Sequence, residues 1–346
     1  MDWQDCPVLV TGGASFIGSH LVDALVARGA RVRVVDDLSS GRMENIRAHI
    51  EAGAVDFHRA DLADPAVARQ LVRGTRVVFH LAAVHGGRGF VDLHQAECAK
   101  NFQIDANVFS AALDARVDNL VFASSGCVYP NYIQNNTEEE LYLKEEMAGP
   151  PYDADNIYGW AKLMGELTLR SFHHDFGLPS VSCRYFSAYG ERGVENHAVM
   201  AMIARAFTKQ DPFVVWGSGA QIRNWTHISD IVQGTLRAAE RIHDASAVNL
   251  GTRERIRVRD AAGEILRYTG HHSSLLFRPD MPTGPYNRVA DNSLAKRLLD
   301  WSPQVSFWNG LHRTIDWYFA TKTPDEAAAA LETMLAERLP AARLPE

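Results

Sequence analysis

The sequence predicts an α/β protein, a doubly wound parallel sheet with a smaller, interleaved C-terminal domain. Three observations carry this: short apolar runs rich in β-branched residues, helical patterns between them, and a glycine turn joining the first run to the first helix. Val8-Leu9-Val10, Val32 to Val35, Val77-Val78-Phe79 and Leu120-Val121-Phe122 are the strand-like runs. Runs of this kind suit strands covered on both faces, as in a parallel sheet. Between the first two, Phe16 to Arg28 places Leu21, Val22, Leu25 and Val26 at helical spacing, and Gly29 stops the helix.

The pattern loosens after Tyr189. A helix is expected over Ala198 to Phe207, then "DPFVVWGSG", "RNWTHISD" and a helix from Ile231 to about Arg241. Val248-Asn249-Leu250-Gly251 reads as a late strand able to rejoin the main sheet. The expected division is 1–189 for the first domain, with the chain returning to it at about 225–255. Residues 190–322 then form mainly the second domain, and 323–346 a peripheral helix and tail. No internal repeat is visible.

The chain has 346 residues, 46% apolar and 22% charged, an ordinary globular composition. No apolar run is long enough for a membrane helix, and the acidic, polar start "MDWQD" does not read as a signal peptide. Cys6, Cys98, Cys127 and Cys183 form no C-x-x-C pair, so a reducing, cytoplasmic setting without a structural metal is expected. A net charge of −7 argues against a nucleic-acid partner. The pairs His173-His174 and His271-His272 have no carboxylate or cysteine at ligand spacing and read as surface residues.

"TGGASFIGSH" follows the first strand and opens the first helix. Glycines at Gly12 and Gly18 let the backbone approach a pyrophosphate, and the free N–H groups of Ser15, Phe16 and Ile17 suit its charge. Asp36 ends the second strand, where a carboxylate accepts hydrogen bonds from the adenine ribose and repels a 2′-phosphate. With Asp37 next rather than arginine, NAD is favoured over NADP, although Arg42 lies close in sequence. Asp61 and Leu62 are expected near the adenine.

T-G-G-x-x-F-I-G, "FHLAA" (Phe79 to Ala83, including Ala82), "SSGCVYP", Tyr158-Gly-Trp-Ala-Lys162 and "RNWTHISD" occur in the order seen in extended short-chain dehydrogenase/reductases, and the chain resembles that family over roughly residues 7 to 320. The resemblance implies a Rossmann-type NAD domain, a substrate-binding C-terminal domain and nucleotide-sugar chemistry. It also implies a homodimer paired through helices around 94–115 and 157–175. Departures are Ser15 in the glycine motif and Arg184-Tyr-Phe-Ser187-Ala-Tyr-Gly-Glu191, with Ser187 where a sugar-contacting asparagine is usual.

Tyr158 and Lys162 share a helix face. The lysine's charge is expected to lower the phenol's ordinary pKa of about 10, so that the tyrosinate takes a hydroxyl proton. Ser125 falls where the family keeps a catalytic hydroxyl, and Asn101 matches an asparagine of supporting role. The two residues after Ser125 separate subfamilies. Gly126-Cys127 lacks the Asp-Glu of the 4,6-dehydratases. "SSGCVYP" is instead similar to the cysteine-bearing runs of GDP-mannose 3,5-epimerases and GDP-fucose synthases. "ENHAVMAMIARAF" puts His197 where the latter keep a catalytic histidine, and "HGGRGF" (His85, Gly87, Arg88) resembles a sugar-facing loop of the former. Arg223 and Arg288 match phosphate-contacting arginines.

A C4 ketone acidifies the protons on C3 and C5. A thiol and an imidazole, with ordinary pKa values of about 8.5 and 6.5, suit inversion there at neutral pH. The expectation is therefore an NAD-dependent nucleotide-sugar epimerase acting at C3, C5 or both. Packing alone also accounts for a cysteine at a strand end, and capping for a histidine at a helix start. A plain 4-epimerase or 4-reductase, and a non-catalytic cofactor-binding regulator, stay open.

Overall fold

A computed structural model describes residues 2–336. Its centre is a seven-stranded, all-parallel sheet of β1 (Pro7–Thr11), β2 (Arg31–Asp36), β3 (Val55–Arg59), β4 (Val77–His80), β5 (Asn119–Ser125), β6 (Ser180–Tyr185) and β7 (Ala247–Leu250), in the order β7-β6-β5-β4-β1-β2-β3. Successive residues feed opposite faces. Val8, Val10, Val32, Val34, Val77, Phe79 and Val121 pack into one core with helices Phe16–Val26 and Ile228–Arg241. Leu9, Val35, Val78, Leu120 and Phe122 pack into another with Pro65–Val72 and Gln95–Ala115. That double burial is why these strands show unbroken apolar runs.

Two strands carry no such run. "VDFHR" of β3 lies at the sheet edge and alternates with solvent. "SVSCRY" of β6 is buried through small residues such as Ser180 and Ser182. Helix Ile228–Arg241 begins a turn earlier than Ile231, because the His227 side chain caps it by accepting from Ser229 N–H. His271 is buried rather than on the surface, with Nε2 2.8 Å from the Gln210 carbonyl oxygen. A further core gathers Tyr189, Met200, Ile203, Phe213, Trp225, Ile265, Phe307 and Tyr318 beside three small sheets. Helix Pro324–Ala336 lies at the end of the described chain, and the tail expected from 337 onward lies outside the described residues.

The crevice between β1 and β4, where the strand order reverses, opens at the strands' carboxyl ends. In open α/β sheets ligands bind there. Behind it lies a buried ion pair. Arg184 on β6 grips Glu166 with Nε at 2.9 Å and Nη2 at 2.7 Å, and the Ser124 hydroxyl donates to the same carboxylate at 2.5 Å. Arg184 also donates to Tyr129 Oη, which donates to Asn249 on β7. Burial alone would raise the Glu166 carboxyl's pKa, but Arg184 outweighs it and holds the group below its ordinary value.

Removing one partner strands the other charge, at a cost of about 3–5 kcal/mol. Glu166→Gln is therefore expected to lower the unfolding free energy in urea by about 3 kcal/mol. The double variant Glu166→Leu, Arg184→Met should recover more than half of it.

Candidate active site

Beneath the crevice lies a cavity of about 410 Å³. Ser125, Cys127, Tyr158, Lys162 and His197 all line it, as do His85, Gly87, Arg88, Ser187, Arg223 and Arg288. Of the expected dinucleotide contacts, Ser15, Phe16 and Ile17 reach the cavity wall, whereas Asp36, Asp61 and Leu62 do not. The Asp36 carboxylate is buried between the Ala14 and Leu38 N–H groups, at 3.0 and 2.9 Å. Asp61 is exposed and caps Ala63 N–H, and Leu62 is in the core.

The turn is built for close backbone approach. Gly12 has a φ of +68°, and a Cβ there would meet Ala82 N at 2.9 Å. A Cβ on Gly18 would fall on the Gly12 carbonyl. Ser15 spends its hydroxyl on the Gly12 carbonyl at 2.5 Å instead of capping the helix, so no side chain covers the N–H groups that open Phe16–Val26. A pyrophosphate fits this end. Arg42, which left NADP open, turns toward Glu195 at 4.0 Å.

Strand β5 delivers Ser125, and a single 3₁₀ turn, Gly126–Val128, follows it. Ser125 Oγ accepts the Cys127 N–H at 3.1 Å and is hydrogen-bonded to the Tyr158 side chain. Helix Asn156–Phe176 can lie this close because Gly159 faces the Cys127 carbonyl, where a Cβ would come within 2.4 Å. Lys162 Nζ stands 5.8 Å from the centre of the Tyr158 ring and 4.7 Å over that of Phe122. The phenol is not lowered as the sequence suggests. Burial, reinforced by Cys127, pushes it well above its ordinary value, and only the Ser125 hydrogen bond opposes this.

The two imidazoles are shifted toward the neutral form. Burial pushes His197 down to about 4. Crowding by protein, then the charges of His197 and Lys162, push His85 down to about 3. Their rings lie 6.0 Å apart, and His85 lies 6.4 Å from Tyr158. His85 is nonetheless exposed, so the crowding protein around the cavity does not keep water from its ring. His197 precedes helix Ala198–Phe207 but its side chain does not cap it. Gly87 lets the loop after β4 seat against the Asn196 carbonyl, where any Cβ would collide.

Arg288 is not a free phosphate anchor. Its Nε donates to Gln134 (2.8 Å), its Nη2 to Asp155 (3.0 Å) and its Nη1 to Cys127 Sγ (3.2 Å). Arg88 shares Asp155 at 2.7 Å and pairs with Asp92. Among the described residues Arg223 donates only to the Ile222 and Thr283 carbonyls. Burial, then Arg288 and Arg88, pull its guanidinium down to about 9. Sequence reasoning missed Asp155, Gln134 and Arg205. Arg205 is buried and lines the cavity without a hydrogen bond or ion pair among the described residues, and burial pulls it down to about 10. The signal was present: a lone cation in "AVMAMIARAF", one helical turn after Ala201 and Met202. Asn101 and Asn107, on Gln95–Ala115, brace loops, Asn101 by bonding both polar groups of the Val84 backbone. Among the described residues no cluster of histidine, cysteine or carboxylate is placed to hold a metal ion.

A dinucleotide turn at the switch point, and a serine, tyrosine and lysine around one cavity, fit a pyridine-nucleotide enzyme. The chain belongs to the NAD-dependent epimerase/dehydratase family, whose description matches residues 8–251. It is 31% identical over 316 residues to GDP-mannose 3,5-epimerase 1 of Oryza sativa subsp. japonica, covering 90% of this chain and 81% of that one. It is 30% identical to UDP-N-acetyl-α-D-glucosaminuronate decarboxylase of Bacillus cytotoxicus, covering 90% and 97%. Among solved structures, UDP-glucose 4-epimerase of Thermotoga maritima with UDP-glucose superposes with a TM-score of 0.82 at 27% identity, covering 91% and 99%. UDP-glucuronic acid 4-epimerase of Bacillus cereus, in complex with UDP-glucuronic acid and NAD, gives 0.82 at 27%, covering 91% and 100%.

Two outcomes are expected from this geometry. Gly159→Ala should push the Cys127 turn away from Tyr158 and cut kcat by about tenfold or more, with folding intact by circular dichroism. For His197 the folded-state pKa is depressed, so the unfolded chain binds the extra proton. The resulting stability is full above about pH 6.5 and is lost as pH falls toward about 4. Calorimetry of wild type and His197→Asn at pH 7 and 4.5 should show the wild type losing more of its Tm, beyond the loss common to both.

Proposed function

We propose that the chain is a nucleotide-sugar epimerase that inverts C3, C5 or both after transient oxidation at C4. The observation that supports this most is the meeting, in one cavity with Tyr158 and Lys162, of a thiol and a neutral, unpartnered imidazole. Ser15, Phe16, Ile17, Gly12 and Gly18 would hold the pyrophosphate of NAD, with Asp36, Asp61, Leu62 and Ala82 around its adenosine half. NAD held there would supply the hydride acceptor for C4 and a positive charge that lowers the cost of ionising Tyr158.

Tyr158 takes the C4 hydroxyl proton, with Ser125 hydrogen-bonded to the phenol and Lys162 supplying positive charge. His197 is neutral at working pH and is the base for a C3 or C5 proton. Cys127 is the second proton carrier, and the Arg288 N–H on its sulfur steadies charge there when the proton leaves. Arg223 and Arg205, cations with no carboxylate of their own, take the diphosphate. His85, Gly87, Arg88 and Ser187 shape the sugar end. Exposed Phe102 and Met164 lie on the two mutually packed helices Gln95–Ala115 and Asn156–Phe176, which supports a homodimer through that face. No described helix is long and apolar enough to cross a membrane.

Incubation with GDP- and UDP-hexoses in heavy water, read by NMR, tests the proposal. Solvent deuterium is expected at C3 or C5, and Cys127→Ser and His197→Asn should each abolish it. Tyr158→Phe should lower turnover by about 10²-fold or more. Epimerisation confined to C4, without solvent deuterium, would instead make the cysteine a packing residue beside Arg288. No turnover over a broad panel would favour a cofactor-binding regulator.

A further inference from the structure

A polar chain runs from the dinucleotide turn toward Lys162. The Thr11 hydroxyl, at the end of β1, accepts the N–H groups of Leu81 and Ala82 at 3.0 Å each and lies 2.8 Å from His80 Nδ1. With two donors already on that oxygen, its own hydrogen goes to Nδ1. His80 therefore carries its proton on Nε2 and donates it to Asp105 Oδ1 at 3.0 Å. His80 is fully buried, which favours the neutral ring this arrangement requires.

Among the described residues the second oxygen of Asp105 has no hydrogen-bond partner, although the residue is only 3% exposed. A bare carboxylate oxygen in a core needs a compensating charge. Lys162 is 1% exposed and has no hydrogen bond or ion pair among those of the described residues. Its Nζ lies over Phe122, the ring on which His80 stacks at 6.0 Å. Gly165, one turn along the lysine's helix, packs against both Phe122 and Asp105, since a Cβ there would stand 2.6 Å from Phe122 and 3.4 Å from Asp105 Oδ2. Burial lowers the Lys162 ammonium, and Asp105 is the charge that opposes this.

Other titratable groups surround the pair. Tyr158 and Glu166 share the lysine's helix, Cys98 shares Asp105's, His80 ends β4, and His85 and Cys127 stand on the cavity wall. Glu166 is committed to Arg184, and burial pushes Cys98 up to about 11. Asp105 is the carboxylate in this group with an oxygen to spare.

We propose that Asp105 is a positioning residue of this site: His80 and Thr11 pin its Oδ1, and its free Oδ2 serves as the countercharge of Lys162. This rests on Tyr158 and Lys162 moving the C4 hydroxyl proton, but its test does not need turnover. The full-length chain carrying ¹³C-lysine is titrated by NMR, with the Lys162 ε-carbon assigned from the Lys162→Arg spectrum. In Asp105→Asn the Lys162 midpoint should fall by about one pH unit or more, with kcat reduced and KM little changed. His80→Gln, which leaves the carboxylate in place, should move it by less than half as much. An unchanged midpoint in folded Asp105→Asn overturns the proposal, as does an equal shift in His80→Gln. Should the asparagine variant fail to fold, Asp105→Ser, which admits water, reads the same midpoint. A lost shift with deuterium exchange intact removes Asp105 alone, whereas a shift without sugar turnover removes only the epimerase reading.

Discussion

The Glu166–Arg184 pair is the contact on which the rest of the site depends. It joins helix Asn156–Phe176 to β6, and through Ser124 it reaches the last turn of β5. Ser125 is the next residue on that strand, and Lys162 sits one helical turn before Glu166. The hydroxyl and the ammonium are thus set against each other by one bidentate clamp. Tyr129 and Asn249 extend the clamp to β7, whose Asn249 side chain also holds the Leu143 and Asp291 carbonyls. A buried ion pair is a poor source of net stability, but here it fixes the relative height of three strands and a helix where the chemistry happens.

Charge is distributed unevenly within the cavity. Arg88 and Arg288 are neutralised by Asp92 and Asp155, so they act as parts of the wall. Arg223 and Arg205 lack such partners. Burial shifts the His197 imidazole toward its uncharged form. On the proposed reading, an anionic diphosphate would meet two cations that lack carboxylate partners, and the sugar would meet the His197 imidazole in its neutral form.

Most of the fold was legible because a parallel sheet covered on both faces replaces the alternating strand code with unbroken apolar runs. Where those runs failed, in "VDFHR" and "SVSCRY", the cause was an edge strand and a strand buried through serines. The site was legible where a motif keeps its members close, as with Tyr158 and Lys162, or where an order of motifs placed Cys127 and His197. Contacts across the chain left no local trace. Arg288 and Cys127 are 161 residues apart, and nothing near either reports that they touch. Asp105 sits among helix residues, and only the paired register of β1 and β4 brings Thr11 and His80 to it. The Tyr158 phenol went the other way from sequence reasoning because spacing shows a neighbouring charge but not the loss of water.

The four cysteines give this architecture a practical consequence. Cys6, Cys98 and Cys183 are sealed in the cores, and Cys127 alone opens onto the cavity. To a water-borne thiol reagent the native chain is a single-cysteine protein whose reporter faces the pocket. Protection of that sulfur then measures how far a ligand reaches toward the sugar end, with no engineered label and no need for the ligand to react.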